Sequence, residues 1–302
     1  MFKKCFFYLM LFAVCACTLK IADNTVEYIT LTDDLGRTVK VKKSAKRFLP
    51  LAPSVTEMLY LLCDTSEIVG RTPNCNYPEE VILKPVVNNY PPDLEKILYL
   101  KPDLVITKDG MLSLAQAAAI EKMGIPVYFQ KYDRVEDIFE RIEDLGHITN
   151  HKEKGKKIAD SLRNEIKKYT FVSDNTKTKK VLMLISKESY FVFGKDTYAS
   201  DIIKLAGGSN VVDSVYSNPY PVITAEYILK INPDFVIGGE SVGLGTDFFE
   251  LHKELKRINA YKNKRCYTIN DDYLSRPGPR VVEALKTIDS IIIENYSEKN
   301  LK

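Results

Sequence analysis

One stretch of fourteen residues is present twice. Asp93-Leu94-Glu95-Lys96-Ile97-Leu98-Tyr99-Leu100-Lys101-Pro102-Asp103-Leu104-Val105-Ile106 returns 131 residues later as Thr224-Ala225-Glu226-Tyr227-Ile228-Leu229-Lys230-Ile231-Asn232-Pro233-Asp234-Phe235-Val236-Ile237. Each copy sets a helix-capping residue two positions before a glutamate, continues with an amphipathic turn or two, and ends in Pro-Asp and an apolar run that reads as a buried strand. A chain that builds the same helix-turn-strand unit at matched places in its two halves is expected to form two similar lobes. The cleft between two lobes is where a ligand is expected.

The amino-terminal end reads as a targeting leader. Lys3 and Lys4 precede an apolar run from Cys5 to Ala16, too short to cross a bilayer, which takes about 20 residues. Val14-Cys15-Ala16-Cys17 has the form of a lipobox, with Cys17 as the lipid-attachment residue; an ordinary secretory signal cut near Ala16 is the alternative. Beyond Cys17 no uninterrupted apolar run is long enough to span, so a tethered, water-soluble body is expected rather than a pore. The formal charge of +3 includes two leader lysines, and so balanced a body argues against nucleic acid as a partner. Three cysteines, Cys63, Cys75 and Cys266, follow the leader. An odd number precludes a complete disulfide framework, leaving Cys63 as a buried small hydrophobe or bridged to Cys75.

The order of elements indicates an α/β fold of two Rossmann-like lobes with mainly parallel sheets, joined by one long helix. The expected divisions are a leader over 1–16, a tether over 17–25, a first lobe over 26–150, a joining helix over 151–173 and a second lobe over 174–302. Tyr28 to Val41 reads as a hairpin turning at Asp34-Leu35-Gly36-Arg37. Strands are predicted at 48–52, from 68, and at 104–107, 126–129, 181–185 and 266–269. Helices are predicted at 112–123, 199–206, 248–258 and 280–296. Ser54-Val55-Thr56-Glu57 reads as a capping box opening the helix after the first strand. The segment 151–169, with Ile158, Leu162 and Ile166 at four-residue spacing, reads as the charged joining helix. A single-helix joint predicts small closing motions.

Ala52-Pro53-Ser54-Val55-Thr56-Glu57, Asn76-Tyr77-Pro78, the two repeated units, Gly207-Gly208-Ser209-Asn210-Val211 and Arg276-Pro277-Gly278-Pro279-Arg280 follow one another in an order that resembles the helix-linked substrate-binding proteins of ATP-binding-cassette importers. The resemblance covers residues 30–296. It implies a small-molecule ligand (vitamin B12 or another corrinoid, a ferric siderophore, or haem), delivery to a dimeric membrane permease, a lipid anchor, and action as a monomer without catalysis, cofactor or resident metal. It further implies that Glu95 and Glu226 dock on the permease. For an acid in a first helical turn the alternative role is stabilisation of the helix dipole. By position against vitamin B12-binding members, the ligand contacts are Asn74, Tyr90, Lys108, Asp109, Gly110, Tyr220, Tyr273 and Arg276.

The residues themselves leave alternatives open. Tyr90 and Tyr220 adjoin prolines and could anchor loops; Asn74 could form an Asx turn; Arg276 could pair with Asp271 or Asp272. An anionic siderophore would make Lys108 and Arg276 the leading contacts, and haem would need an axial tyrosine. His147 and His151, four apart, read as a solvated helix face away from the cleft. No nucleotide loop or nucleophile elbow is present.

Overall fold

The computed structural model describes residues 26–169, 178–212, 216 and 218–300. The leader, Cys17, the tether and the last residues expected of the joining helix lie outside the described residues. The chain opens with the expected antiparallel hairpin, β1 (Tyr28–Thr32) and β2 (Thr38–Lys42). Asp33 shapes its turn by accepting hydrogen bonds from the backbone N–H groups of Leu35 (3.1 Å) and Arg37 (2.9 Å). Gly36 supplies the φ of +75° that closes it.

The first lobe follows as β3 (Phe48–Pro50), α1 (Pro53–Leu62), α2 (Leu94–Leu100), β4 (Leu104–Lys108), α3 (Leu114–Glu121) and β5 (Val127–Gln130), with a parallel sheet in the order β3-β4-β5. The helices α4 (Val135–Ile148) and α5 (Lys152–Lys167) come next. The second lobe comprises β6 (Lys179–Leu184), α6 (Tyr198–Leu205), β7 (Gly208–Asn210), α7 (Ala225–Ile231), β8 (Phe235–Gly239), α8 (Thr246–Leu251), α9 (Asn259–Lys262), β9 (Cys266–Ile269), α10 (Asp271–Ser275) and α11 (Val281–Asn300). Its parallel sheet runs β7-β6-β8-β9. Two parallel sheets with helical crossovers are the two-lobed α/β architecture expected from the element order.

The repeat is one structural unit used twice. Asp93 caps α2 by accepting from Lys96 N–H at 2.9 Å, and Thr224 caps α7 by accepting from Tyr227 N–H at 3.1 Å. Lys101 and Asn232 end the two helices in the left-handed region, each at φ 47°. The aspartate of each Pro-Asp then ties its strand to the start of the neighbouring one. Asp103 N–H donates to Arg47 O and its carboxylate accepts from Arg47 N–H (3.2 Å), while Asp234 N–H donates to Lys180 O and its carboxylate accepts from Lys180 N–H (3.0 Å).

Several expectations need correction. Ser54 is not an N-cap: α1 starts two residues earlier, with Pro53 at its first position and Ala52 as an N-cap without a side-chain bond. The run from Ile68 makes only isolated parallel bridges, Ile68 to Phe48 and Arg71 to Val86. The predicted helix over 248–258 breaks at His252 into α8 and a 3-10 turn over Lys253–Arg257. His147 and His151 do not share a helix, because Asn150, at φ 62°, reverses the chain between α4 and α5. Cys63, Cys75 and Cys266 are all free thiols, and Cys75 Sγ lies 3.1 Å from the hydroxyls of both Thr56 and Thr72.

The helix expected over 151–173 is α5, and it does not stand alone. α4 and α5 form a helical hairpin; α4 packs on α1 of the first lobe and α6 of the second, and α5 packs on α11. Ile138, Ile142 and Leu145 make the buried stripe of α4. One apolar core therefore runs from Phe48 and Met58 through Ile142 and Ile166 to Val181, Ile202 and Leu285, across both lobes. Smaller cores around Val105 and Phe129, and around Ile228 and Phe248, lie on the far faces of the two sheets.

Candidate functional site

A cavity of about 610 Å³ opens between loops of the two lobes. The first lobe lines it with Lys108, Asp109, Gly110 and Met111, just past β4, and with Lys131, Tyr132 and Asp133, just past β5; the second contributes Asp196, Pro219 and Tyr220. Both first-lobe loops leave the carboxyl ends of parallel strands, where open α/β sheets bind ligands. The volume falls within the range of small-molecule sites.

Local chemistry sets each wall. After β4 the chain reverses tightly: Met111 N–H donates to Lys108 O at 3.1 Å, and Gly110, at φ +82°, takes the left-handed turn. After β5, Lys131 N–H donates to Asp34 of the hairpin turn (2.8 Å), and Lys131 Nζ pairs with Asp133 at 2.7 Å. Across the cleft, Tyr220 N–H donates to Asn218 Oδ1 (2.9 Å) in an Asx turn. Val192 and Gly194 donate backbone hydrogen bonds to Pro221 O and Pro219 O. The Tyr220 ring packs near Phe193 (6.0 Å between centroids) and Phe191 (6.4 Å). A supported aromatic face thus looks across at a polar wall.

Charge in the cavity is mixed, with two lysines and three aspartates. Burial pulls the Lys108 ammonium below the ordinary lysine range, against the opposing pull of Asp109 and Asp133. Burial raises the Tyr220 phenol, and Asp133 and Asp109 raise it further, so the hydroxyl is held neutral.

Of the eight expected contacts, the structure brings Lys108, Asp109, Gly110 and Tyr220 together on this cavity. The others lie elsewhere. Tyr90 is 82% exposed in the loop before α2. Tyr273 packs against the shared core, and its carbonyl accepts the Tyr198 hydroxyl. Asn74 and Arg276 meet each other: Arg276 donates to Asn74 O (3.0 Å) and Asn76 Oδ1 (2.6 Å) and pairs with Asp272 at 2.9 Å. Arg280 joins them, donating through Nε and Nη2 to both oxygens of Glu57 (2.9 and 2.6 Å) and to Asp272 (2.9 Å), with its guanidinium 4.5 Å from the centre of the Tyr77 ring. These residues form a clasp between the lobes. Met111, Lys131, Asp133 and Asp196 went unread in the sequence, although the loop at 131–133 follows a predicted strand and the strand-end rule could have found it.

The docking candidates Glu95 and Glu226 are both exposed on the first turns of α2 and α7, with no ion pair among the described residues. Leu98 (51% exposed) and Tyr99 (75%) lie on the helix that carries Glu95.

Comparison with known proteins agrees with this architecture. The chain is 28% identical over 282 residues to the uncharacterized ABC transporter substrate-binding lipoprotein YvrC of Bacillus subtilis, covering 89% of this chain and 87% of that protein. It is 26% identical to the vitamin B12-binding protein of Vibrio cholerae, over 81% of this chain and 88% of that one. Among solved structures, a possible iron-binding (periplasmic solute-binding) protein from Staphylococcus epidermidis superposes with a TM-score of 0.73 at 28% identity, covering 83% of this chain and 99% of that one. A family model described as periplasmic binding protein matches residues 50–273. With most of its length matched, and with loops of its two lobes lining one cavity, the chain belongs to the periplasmic binding protein family.

Proposed function

We propose that this protein is the lipid-anchored, extracytoplasmic capture component of an ATP-binding-cassette importer, and that its cargo is vitamin B12 or a related corrinoid. The observation that carries the reading is the cavity itself, walled by strand-end loops of both lobes and faced on one side by Tyr220. A corrin ring is broad and largely apolar on its faces, and a tyrosine backed by Phe191 and Phe193 offers it a rigid stacking surface. The similarity to a vitamin B12-binding protein supports the same ligand class. A ferric siderophore fits less well: Arg276, the cation it would need, is already engaged by Asp272, Asn76 and Asn74, and the aspartates of the cavity outnumber its lysines. Haem is the second reading, with the Tyr220 hydroxyl or the Met111 sulfur as the side chain placed to meet iron.

Delivery follows from the repeat. Glu95 and Glu226 stand on equivalent helices of the two lobes, and this near-symmetric pair suits a permease that is a dimer. Lipid attachment at Cys17 would hold the protein at the membrane; among the described residues no helix is long and apolar enough to cross one. In this reading the cavity binds its cargo and releases it to the permease.

The test is to incubate the purified protein with cyanocobalamin, haemin and a ferric catecholate complex in turn and read the visible spectrum that co-elutes on gel filtration. Cyanocobalamin alone at one equivalent is the expected result; retention of haemin or the ferric complex instead would refute the corrinoid assignment.

A further inference from the structure

On the first lobe, away from the cleft, Cys63, Glu67 and His151 each present a ligating atom, and the three atoms lie within 4.8 Å of one another. They come from the carboxyl end of α1, the 3-10 turn Thr65–Glu67 and the N-cap of α5. Cys63 is 6% exposed and Glu67 7%. Glu67 is only half satisfied. One oxygen accepts from Lys46 Nζ at 2.6 Å, but Oε2 is buried without a hydrogen-bond partner. A buried carboxylate oxygen left in that state is costly and calls for an unseen partner.

His151 is set to supply a lone pair. The Thr149 hydroxyl donates to Leu145 O (2.7 Å), so its oxygen accepts from His151 Nδ1–H (3.3 Å), leaving Nε2 free. Such orientation by an outer hydrogen bond is usual for metal-binding imidazoles.

We infer that Cys63, Glu67 and His151 bind a zinc-class divalent cation, with solvent in the fourth position. A thiolate, an imidazole and a carboxylate suit zinc, whereas calcium and magnesium take oxygen ligands. Tetrahedral bonds of about 2.0–2.3 Å place ligand atoms roughly 3.3–3.7 Å apart, so a cluster already within 4.8 Å contracts by at most about 1.5 Å on loading. Cys63 binds as the thiolate, its proton passing to solvent, while Lys46 stays on the other Glu67 oxygen. Two cations oppose the metal. Lys46 has a side chain 64% exposed, so its charge is screened by water, and the Lys154 ammonium is held on Leu62 O at 3.0 Å. The loaded site would tie α1 to α5, pinning the helical joint to the first lobe. None of its ligands lines the cleft, so the inference is independent of the cargo.

The test is titration of the reduced, metal-stripped full chain with Co²⁺ as a spectroscopic probe, followed by Zn²⁺ competition. One equivalent should produce a thiolate-to-cobalt charge-transfer band and tetrahedral visible bands, and Zn²⁺ should abolish both and raise the thermal midpoint. Cys63→Ser should remove the charge-transfer band. His151→Gln, at a half-buried position that tolerates change, should weaken Co²⁺ binding about tenfold or more, and His147→Gln, exposed on α4, should change nothing. Circular dichroism of each variant guards against misfolding. Absence of the band in the parent chain, its survival in Cys63→Ser, or unchanged affinity in a folded His151→Gln would overturn the inference.

Discussion

Glu57 has a side chain only 2% exposed and receives two hydrogen bonds from Arg280, 223 residues further along the chain. Its partner group is electrically balanced, two arginines against Glu57 and Asp272. Removing one member of such a buried set leaves charge unpaired, which costs roughly 3–5 kcal/mol. Glu57→Ala should therefore destabilise the protein by about that amount, read as a lower denaturant midpoint; a loss below ~1 kcal/mol, typical of surface pairs, would show that the clasp does not hold the lobes. Tyr220 makes a different demand. Its ring already rests near Phe191 and Phe193, and a flat ligand lying on it would add a stacking contact worth about 0.5–1.5 kcal/mol. Tyr220→Ala should weaken corrinoid binding roughly two- to tenfold or more, whereas Tyr90→Ala, at a residue outside the cavity lining, should leave affinity unchanged. A titration series on the two variants separates these outcomes.

At the scale of elements, the repeated helices rest on their caps. Asp93→Ala and Thr224→Ala each remove a side-chain acceptor from an orphan N–H and should cost ~1 kcal/mol in urea unfolding. The α4–α5 hairpin rests on close approach: a Cβ on Gly155 would come within 3.0 Å of Gly146 Cα and of Ile142 O, both backbone. Gly155→Val must push the helices apart, and overpacking of this kind costs about 1–3 kcal/mol; unfolding at the parental midpoint would contradict the packing described. These elements also show what sequence can reveal. Asp93 and Thr224 were legible because a cap is a local pattern, three residues from acceptor to donor. Lys108 and Tyr220 were legible only through the family resemblance, by position against vitamin B12-binding members; Lys108 also closes a parallel strand, where open α/β sheets bind ligands. Ser54-Val55-Thr56-Glu57 misled because Glu57 is claimed by Arg280 from the other lobe, and Pro53 had already opened the helix. The Arg276–Asp272 pair, four residues apart, was legible as an alternative, whereas the meeting of Arg276 with Asn74 was not, because a pairing across some 200 residues leaves no trace in local spacing. Cys63, Glu67 and His151 were likewise unreadable as a group until α1 and α5 were packed together.

For the molecule as a whole, the shared core limits motion. The expected single-helix joint already predicted small closure; a helical hairpin packed on both lobes, one core continuous through it, and the Glu57–Arg280 clasp make the predicted motion smaller still. Small-angle scattering should show almost no change in radius of gyration on ligand binding, and a domain-scale contraction would contradict this stiffness. A stiff body also fixes the distance between Glu95 and Glu226, as the proposed docking requires. Reversing both, Glu95→Lys with Glu226→Lys, should abolish stimulation of the permease's ATP hydrolysis while leaving ligand affinity nearly intact; normal stimulation, or lost affinity, would remove the docking role. The most direct test of the account is calorimetric titration of the protein with cyanocobalamin. It predicts one-to-one binding with a submicromolar dissociation constant, weakened in Tyr220→Ala. No binding heat and no displacement of a competing ligand, or binding indifferent to Tyr220, would contradict a corrinoid held in the cleft between the lobes.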